Sequence, residues 1–168
     1  MRLLLRGPTA ADRDEFLARV RDSRSLHRPW VHPPATAAAY ATWLRRAGPE
    51  FLPLLACRRG DGALVGVVAL SGIALGNFRS AYLEYYVFRP FQHQGYMTDA
   101  LQETLRLAFR RLGLHRLEAN VQPGNAASLR LVRRCGFRRE GFSPRYLLVG
   151  GRWRDHERWA VRADQHSP

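Results

Sequence analysis

The sequence predicts an α/β fold, a mixed twisted β-sheet with helices packed on its faces. Three observations point there. Short runs rich in apolar, β-branched and aromatic residues recur at 2–5, 51–58, 64–71, 81–88 and 116–121. Segments of helical period separate the first two and follow the fourth. The length of 168 residues suits one domain, 1–168, around one core.

The elements follow in chain order. After the first strand, Thr9 is placed to cap a helix over 10–22 whose apolar face carries Phe16, Leu17 and Val20. Residues 23–36 hold Pro29, Pro33 and Pro34 with His27, Trp30 and His32, and read as an aromatic loop. Tyr40, Trp43 and Leu44 give helical spacing over 36–47. Gly60-Asp61-Gly62 turns between strands 51–58 and 64–71, which form a hairpin. The aromatic strand 81–88 precedes a helix over 98–112, with Leu101, Leu105, Ala108 and Leu112 on one side. A strand at 116–121 and a short helix at 125–135 follow, and Gly136 is the expected left-handed stop. Strands at 145–149 and 158–161, joined through Gly150-Gly151, close the chain. The order is β-α-α-β-β-β-α-β-α-β-β.

Composition narrows the function classes. No apolar run approaches the roughly 20 residues of a membrane helix, and 2–5 is too short for a signal core, so a cytoplasmic protein is expected. Cys57 and Cys135 lie in no metal-ligand or disulfide spacing and read as buried thiols. No His, Cys or Asp cluster has metal spacing, so no metal is expected. The net charge is +13, and all 27 basic residues are arginine. They are scattered, which fits either a solvated basic surface or one that gathers anions such as RNA, a ribosome or a phosphate-rich cofactor.

The chemistry concentrates between the 81–88 strand and the next helix. There lies Gln92-His93-Gln94-Gly95-Tyr96-Met97, ahead of Thr98. The first amides of a helix lack internal partners and the helix dipole adds positive charge, so this is an anion site. Gly95 lets the backbone approach an anion closely. The loop is neither a Walker loop nor a Rossmann fingerprint, since the required Lys and further glycines are missing.

This loop, with Asn125-Ala126-Ala127-Ser128 and Gly136-Phe137 downstream, resembles the GCN5-related N-acetyltransferase superfamily. Gly76-Asn77-Phe78, His115-Arg116, Tyr146-Leu147-Leu148 and 151–156 resemble more narrowly its RimJ/RimL-like branch, which acetylates the N-termini of ribosomal proteins. The likeness is close over 64–162, and Met97 departs from the family's small residue.

The resemblance implies one N-acetyltransferase domain whose two central parallel strands splay apart. It implies acetyl-CoA as co-substrate, with its pyrophosphate on the backbone of Gln92, His93, Gln94, Gly95, Tyr96, Met97 and Thr98. The pantetheine arm would meet the Val87 and Phe88 backbone and Asn125, and Asn120, which cannot act as a base, would contact the pantetheine or the substrate. Ser128 would donate to the coenzyme sulfur; alternatively it is only the third residue of a helix capped by Asn125. Glu84 is the candidate base, on the argument that burial in an apolar strand raises its pKa; the alternative is an outward residue paired with arginine. For Glu118 an arginine pair is the stronger reading. The glutamate that relatives place near 145–148 is absent here. The implied acceptor is a protein or peptide N-terminus, with small amines and a non-catalytic RNA-associated module as alternatives. A homodimer is implied by the resemblance alone.

Overall fold

The structure, a computed structural model, describes residues 2–166. Seven strands form one sheet: β1 (Leu3–Arg6), β2 (Phe51–Arg58), β3 (Leu64–Ala74), β4 (Ser80–Val87), β5 (Arg116–Val121), β6 (Arg138–Val149) and β7 (Arg152–Arg162). Their order across the sheet is β1-β2-β3-β4-β5-β7-β6. Only β4 and β5 pair in parallel; every other neighbour is antiparallel.

The central strands are apolar nearly throughout because helices cover both faces. Leu64 to Leu70 are buried without interruption. On one face lie α1 (Arg13–Asp22), the short α2 (Arg24–His27) and α3 (Ala37–Arg45). There Phe16 stacks with Tyr40, Trp43 and Phe88 at ring separations of 4.9, 5.4 and 5.8 Å. On the other lie α4 (Tyr96–Arg106) and α5 (Ala126–Arg134).

Local chemistry sets the element ends. Thr36 caps α3, accepting from the Ala39 amide at 3.1 Å, and Asn125 caps α5, accepting from the Ser128 amide at 3.1 Å. Gly136 takes φ +89° and stops α5. The entry to α1 differs from expectation. A 3-10 turn at Ala10–Asp12 precedes the helix, because the Asp12 carboxylate accepts from both the Thr9 amide and hydroxyl and also pairs with Arg6 at 2.6 Å. The Arg6 hydrogen bond holds that carboxyl down at about 2.

Three other boundaries moved. α2 interrupts the expected loop at 23–36. α4 begins at Tyr96 rather than Thr98 and ends in a π turn, Leu107–Arg111. β6 and β7 are much longer than expected, because β6 is a solvent-facing edge strand without apolar alternation and a register shift lies between Ser143 and Leu147. Among the described residues no helix is long and apolar enough to cross a membrane.

Candidate active site

The gap in the sheet builds the site. β4 and β5 align over three pairs only, Ser80 with Arg116, Ala81 with Leu117 and Tyr82 with Glu118. Beyond Tyr82, β4 follows β3 as far as Val87 opposite Gly66, while β5 follows β7 as far as Val121 opposite Glu157. Their outer partners therefore draw the two strands apart. The Phe88 amide donates to the Val65 carbonyl on β3 at 2.8 Å. By strand alternation the backbone groups of Leu83, Tyr85 and Val87 turn the other way, into the gap.

Two cavities meet there. A cleft of about 420 Å³ runs between the 91–98 loop and α5. A second, of about 840 Å³, lies under the Pro-rich loop, α3 and the β6 bulge. Trp30, Val31, Tyr85, Tyr86, Asn125 and Ser128 line both. These six form a throat between the two.

The first cleft has an anion-binding wall. Gly95 adopts φ +79° and His93 φ +59°, left-handed turns that point successive amides outward. Tyr96, Met97 and Thr98 form the first turn of α4, whose amides have no partner within the helix. Gln92, His93, Gly95, Tyr96, Met97 and Thr98 all line the cleft, with Arg130 and Arg134 across from them. Gln94 does not. Its side chain donates to the Pro90 carbonyl at 2.8 Å, and its own carbonyl accepts from Arg2 at 3.1 Å. Met97 fits because its side chain sits over Gly66, where a Cβ would be 3.1 Å from the sulfur. The departure from a small residue is thus absorbed by a missing side chain on β3.

Arg2, just ahead of β1, braces this loop, and sequence reasoning passed over it. Besides the Gln94 carbonyl it holds Asp99 at 2.7 and 2.9 Å, and its guanidinium lies 4.7 Å from the Tyr96 ring centre. Contacts across 97 positions carry no local sequence signal.

At the throat, Ser128 Oγ and the Tyr85 hydroxyl lie 2.5 Å apart. Burial pushes the Tyr85 phenol well above its ordinary value and keeps it protonated. His27, which is 4% exposed, donates through Nε2 to the Val87 carbonyl at 2.6 Å. A carbonyl only accepts, so Nε2 carries the proton, and burial lowers the imidazole's pKa. The expected pantetheine contacts at Val87 and Phe88 change accordingly. The Phe88 amide is spent on β3 and its side chain is wholly buried, while the Val87 carbonyl already holds His27. Val87 lines the cleft; Phe88 does not.

The second cavity holds Glu84 and Asn120. Glu84 is exposed and accepts from Ser71 Oγ at 2.6 Å, so the burial argument for it as a base fails. Side chains alternate along β4, so Glu84 and Tyr85 face opposite sides of the sheet. Asn120 lines this cavity and not the anion-binding cleft, so of its two expected contacts the pantetheine one is not supported. Glu118 pairs with Arg116 at 2.9 Å, as its sequence setting suggested. Of the arginines at 133, 134, 138 and 139, only Arg134 lines the cleft; Arg133 stacks on Trp159 and Arg139 pairs with Glu157 at 3.5 Å.

The remaining candidates are inert. Cys57 and Cys135 are free and buried, and burial pushes the Cys135 thiol up to about 11. Among the described residues no three His, Cys, Asp or Glu side chains gather as a metal site would require.

Comparison with known proteins agrees with this geometry. The family model described as "Acetyltransferase (GNAT) domain" matches residues 2–138. The Escherichia coli [ribosomal protein uS5]-alanine N-acetyltransferase is 36% identical over 105 residues, covering 62% of this chain and 54% of that protein. The chain thus aligns with about half the length of the curated relatives it matches. Among solved structures, Mycobacterium smegmatis RimJ in complex with CoA-disulfide superposes with TM-score 0.91 at 28% identity, over 99% of this chain and 84% of that one. Spermidine N-acetyltransferase from Vibrio cholerae, in complex with CoA and spermine, shares the fold with TM-score 0.83 at 20% identity, covering 98% and 97%. The chain belongs to the GNAT acetyltransferase family.

Proposed function

We propose that the protein transfers an acetyl group from acetyl-CoA to a primary amine, with a protein N-terminal α-amino group as the acceptor. The observation that carries this is the throat, where an anion-binding cleft and a separate roomy cavity meet at the Ser128–Tyr85 pair. One cavity suits a long phosphate-bearing thioester and the other an amine arriving from the opposite face of the sheet.

The residues divide the work. The amides of 93 and 95–98, with the α4 dipole, hold the pyrophosphate. Asn125 and the Val87 strand edge guide the pantetheine arm. The amine nitrogen attacks the thioester carbonyl, and a backbone amide facing the gap stabilises the oxyanion. As the carbon–sulfur bond breaks, Ser128 gives its proton to the departing sulfur, Tyr85 supports it by hydrogen bond, and water returns a proton to the Ser128 oxygen, so that the net change moves the amine's proton to the thiol. The amine's surplus proton leaves through water towards Glu84. A free α-amino group has a pKa near 8, so a fraction is already neutral at physiological pH and a weak base suffices.

The relatives named for ribosomal-protein and RimJ acetylation support a protein N-terminus. A small polyamine is the second reading, favoured by Glu84 as the one carboxylate among the residues lining the acceptor cavity. A net charge of +13 opposes it by repelling polycations. The test is thiol release from acetyl-CoA with peptides of varied N-termini, spermidine and free amino acids. Turnover with peptides, and mass spectra placing acetyl on the α-nitrogen, are expected. Turnover with spermidine alone would replace the acceptor, and none with any amine would sink the reading.

A further inference from the structure

The acceptor cavity holds a buried imidazole that the steps above leave unused. His156 stands on β7 opposite Ser143 of β6 and is 3% exposed. It lines the cavity together with Glu84, Asn120 and Ser128. The sheet register accounts for this. Tyr82 pairs with Glu118, and Asn120 with Arg158. Side chains alternate along a strand, so Glu84, Asn120 and His156 all project from one face.

The ring is fixed in one tautomer. Nδ1 lies 2.9 Å from the Arg154 carbonyl. A carbonyl only accepts, so Nδ1 carries the proton and Nε2 of the neutral ring presents a lone pair. Among the described residues Nε2 has no partner, yet it is not one of the polar atoms sealed from solvent. Its lone pair is therefore open to what fills the cavity. The Tyr146 ring, 6.2 Å away and edge-on, holds the imidazole from the β6 side.

The other charged and titratable groups nearby are worse placed to take a proton. Glu84 is exposed, and its carboxylate already accepts from Ser71. His32 also lines the cavity, but it is exposed and lies against Gly150. Arg46 on the cavity wall, and Arg154 and Arg158 beside His156 on its face of β7, are cations and accept nothing.

We propose that His156 is the general base of the transfer, its Nε2 taking the proton of the acceptor amine. This rests on the acetyltransferase reading above. The amine nitrogen bonds to the thioester carbonyl carbon and becomes cationic. Its surplus proton passes to Nε2, and the imidazolium keeps its Nδ1–H on the Arg154 carbonyl. The carbon–sulfur bond then breaks, its electron pair leaves on sulfur, and Ser128 protonates that sulfur. Water carries the ring's proton away on the Glu84 side, which restores the lone pair. Imidazole exchanges protons in the neutral range, so one histidine can take and release a proton in every turnover. The base thus stands on the amine's side of the throat and the proton donor on the coenzyme's side.

The test compares wild type, His156→Asn and His156→Ala with a peptide acceptor and acetyl-CoA. The Asn amide can still donate to the Arg154 carbonyl but has no group at the Nε2 position, so it keeps the structural bond and removes the base. His156→Asn is expected to lower kcat for the peptide at least tenfold, while the KM for acetyl-CoA stays within about twofold. Added imidazole should restore part of the rate in His156→Ala and leave wild type unchanged. Peptide turnover within twofold of wild type in His156→Asn, or a His156→Ala rate that imidazole does not raise, would overturn the assignment. So would a loss in His156→Asn matched by an equal rise in the coenzyme KM, which a purely structural role gives. Wild type that releases no thiol with any amine would instead overturn the acetyltransferase reading itself.

Discussion

Removing the Tyr85 hydroxyl with Tyr85→Phe isolates one hydrogen bond at the throat. The bond to Ser128 is 2.5 Å long, and the phenol is held protonated by burial, so it can donate to the Ser128 oxygen while that hydroxyl turns its own proton to the sulfur. A bond of this kind contributes about 1–2 kcal/mol, which corresponds to roughly 5- to 30-fold in rate. Ser128→Ala removes the proposed proton donor itself and should cost at least tenfold, within the range of general acid catalysis. If Tyr85 acts through Ser128, the losses do not add, and the double variant resembles Ser128→Ala alone. Thiol release under saturating peptide reads all four rates. Losses that multiply, or a Ser128→Ala rate equal to wild type, would refute the reasoning.

Three further outcomes follow from the same geometry. Arg2→Ala should raise the KM for acetyl-CoA several-fold at constant kcat, since Arg2 braces the anion loop; its exposed pair with Asp99 predicts a stability change below about 1 kcal/mol. Gly66→Ala should lower the unfolding free energy by about 1–3 kcal/mol, because a Cβ there would lie 2.5 Å from the Tyr86 carbonyl and 3.1 Å from the Met97 sulfur; an unchanged urea midpoint would contradict this. The folded pKa of His27 is depressed, so as pH falls below about 6.5 the unfolded chain takes up a proton first and stability declines. One such group contributes at most about 1.4 kcal/mol per pH unit. Urea unfolding at about pH 7.5 and 5.5 should show a smaller loss in His27→Gln. The buried-side shift of His166 acts in the same direction, so the difference between the two proteins is the quantity to read.

What could be read in the sequence was local. Gly95 before a helix, the Asn125 cap and the Gly136 stop each depend on neighbours within a few positions, and each stands where expected. The aromatic strand and the parallel splay followed from element order and resemblance. Features set by distant contacts stayed hidden. His27 reaches Val87 across 60 positions, and Arg2 reaches Asp99 across 97. The burial of Glu84 was misjudged for a related reason. An acid in a run of tyrosines suggests burial, but its face opens on the acceptor cavity, which only the sheet register reveals. Asn120 shows the same limit: alternation tells which residues share a face, not which cavity that face meets.

A crystal structure with acetyl-CoA bound tests the central claim, that acetyl transfer takes place in the gap between β4 and β5. The account predicts the pyrophosphate on the amides of 95–98 and the thioester at the throat, within hydrogen-bond reach of Ser128 and open to the cavity holding Glu84 and Asn120. A coenzyme lying outside the gap, or a thioester sealed off from that cavity, would contradict it.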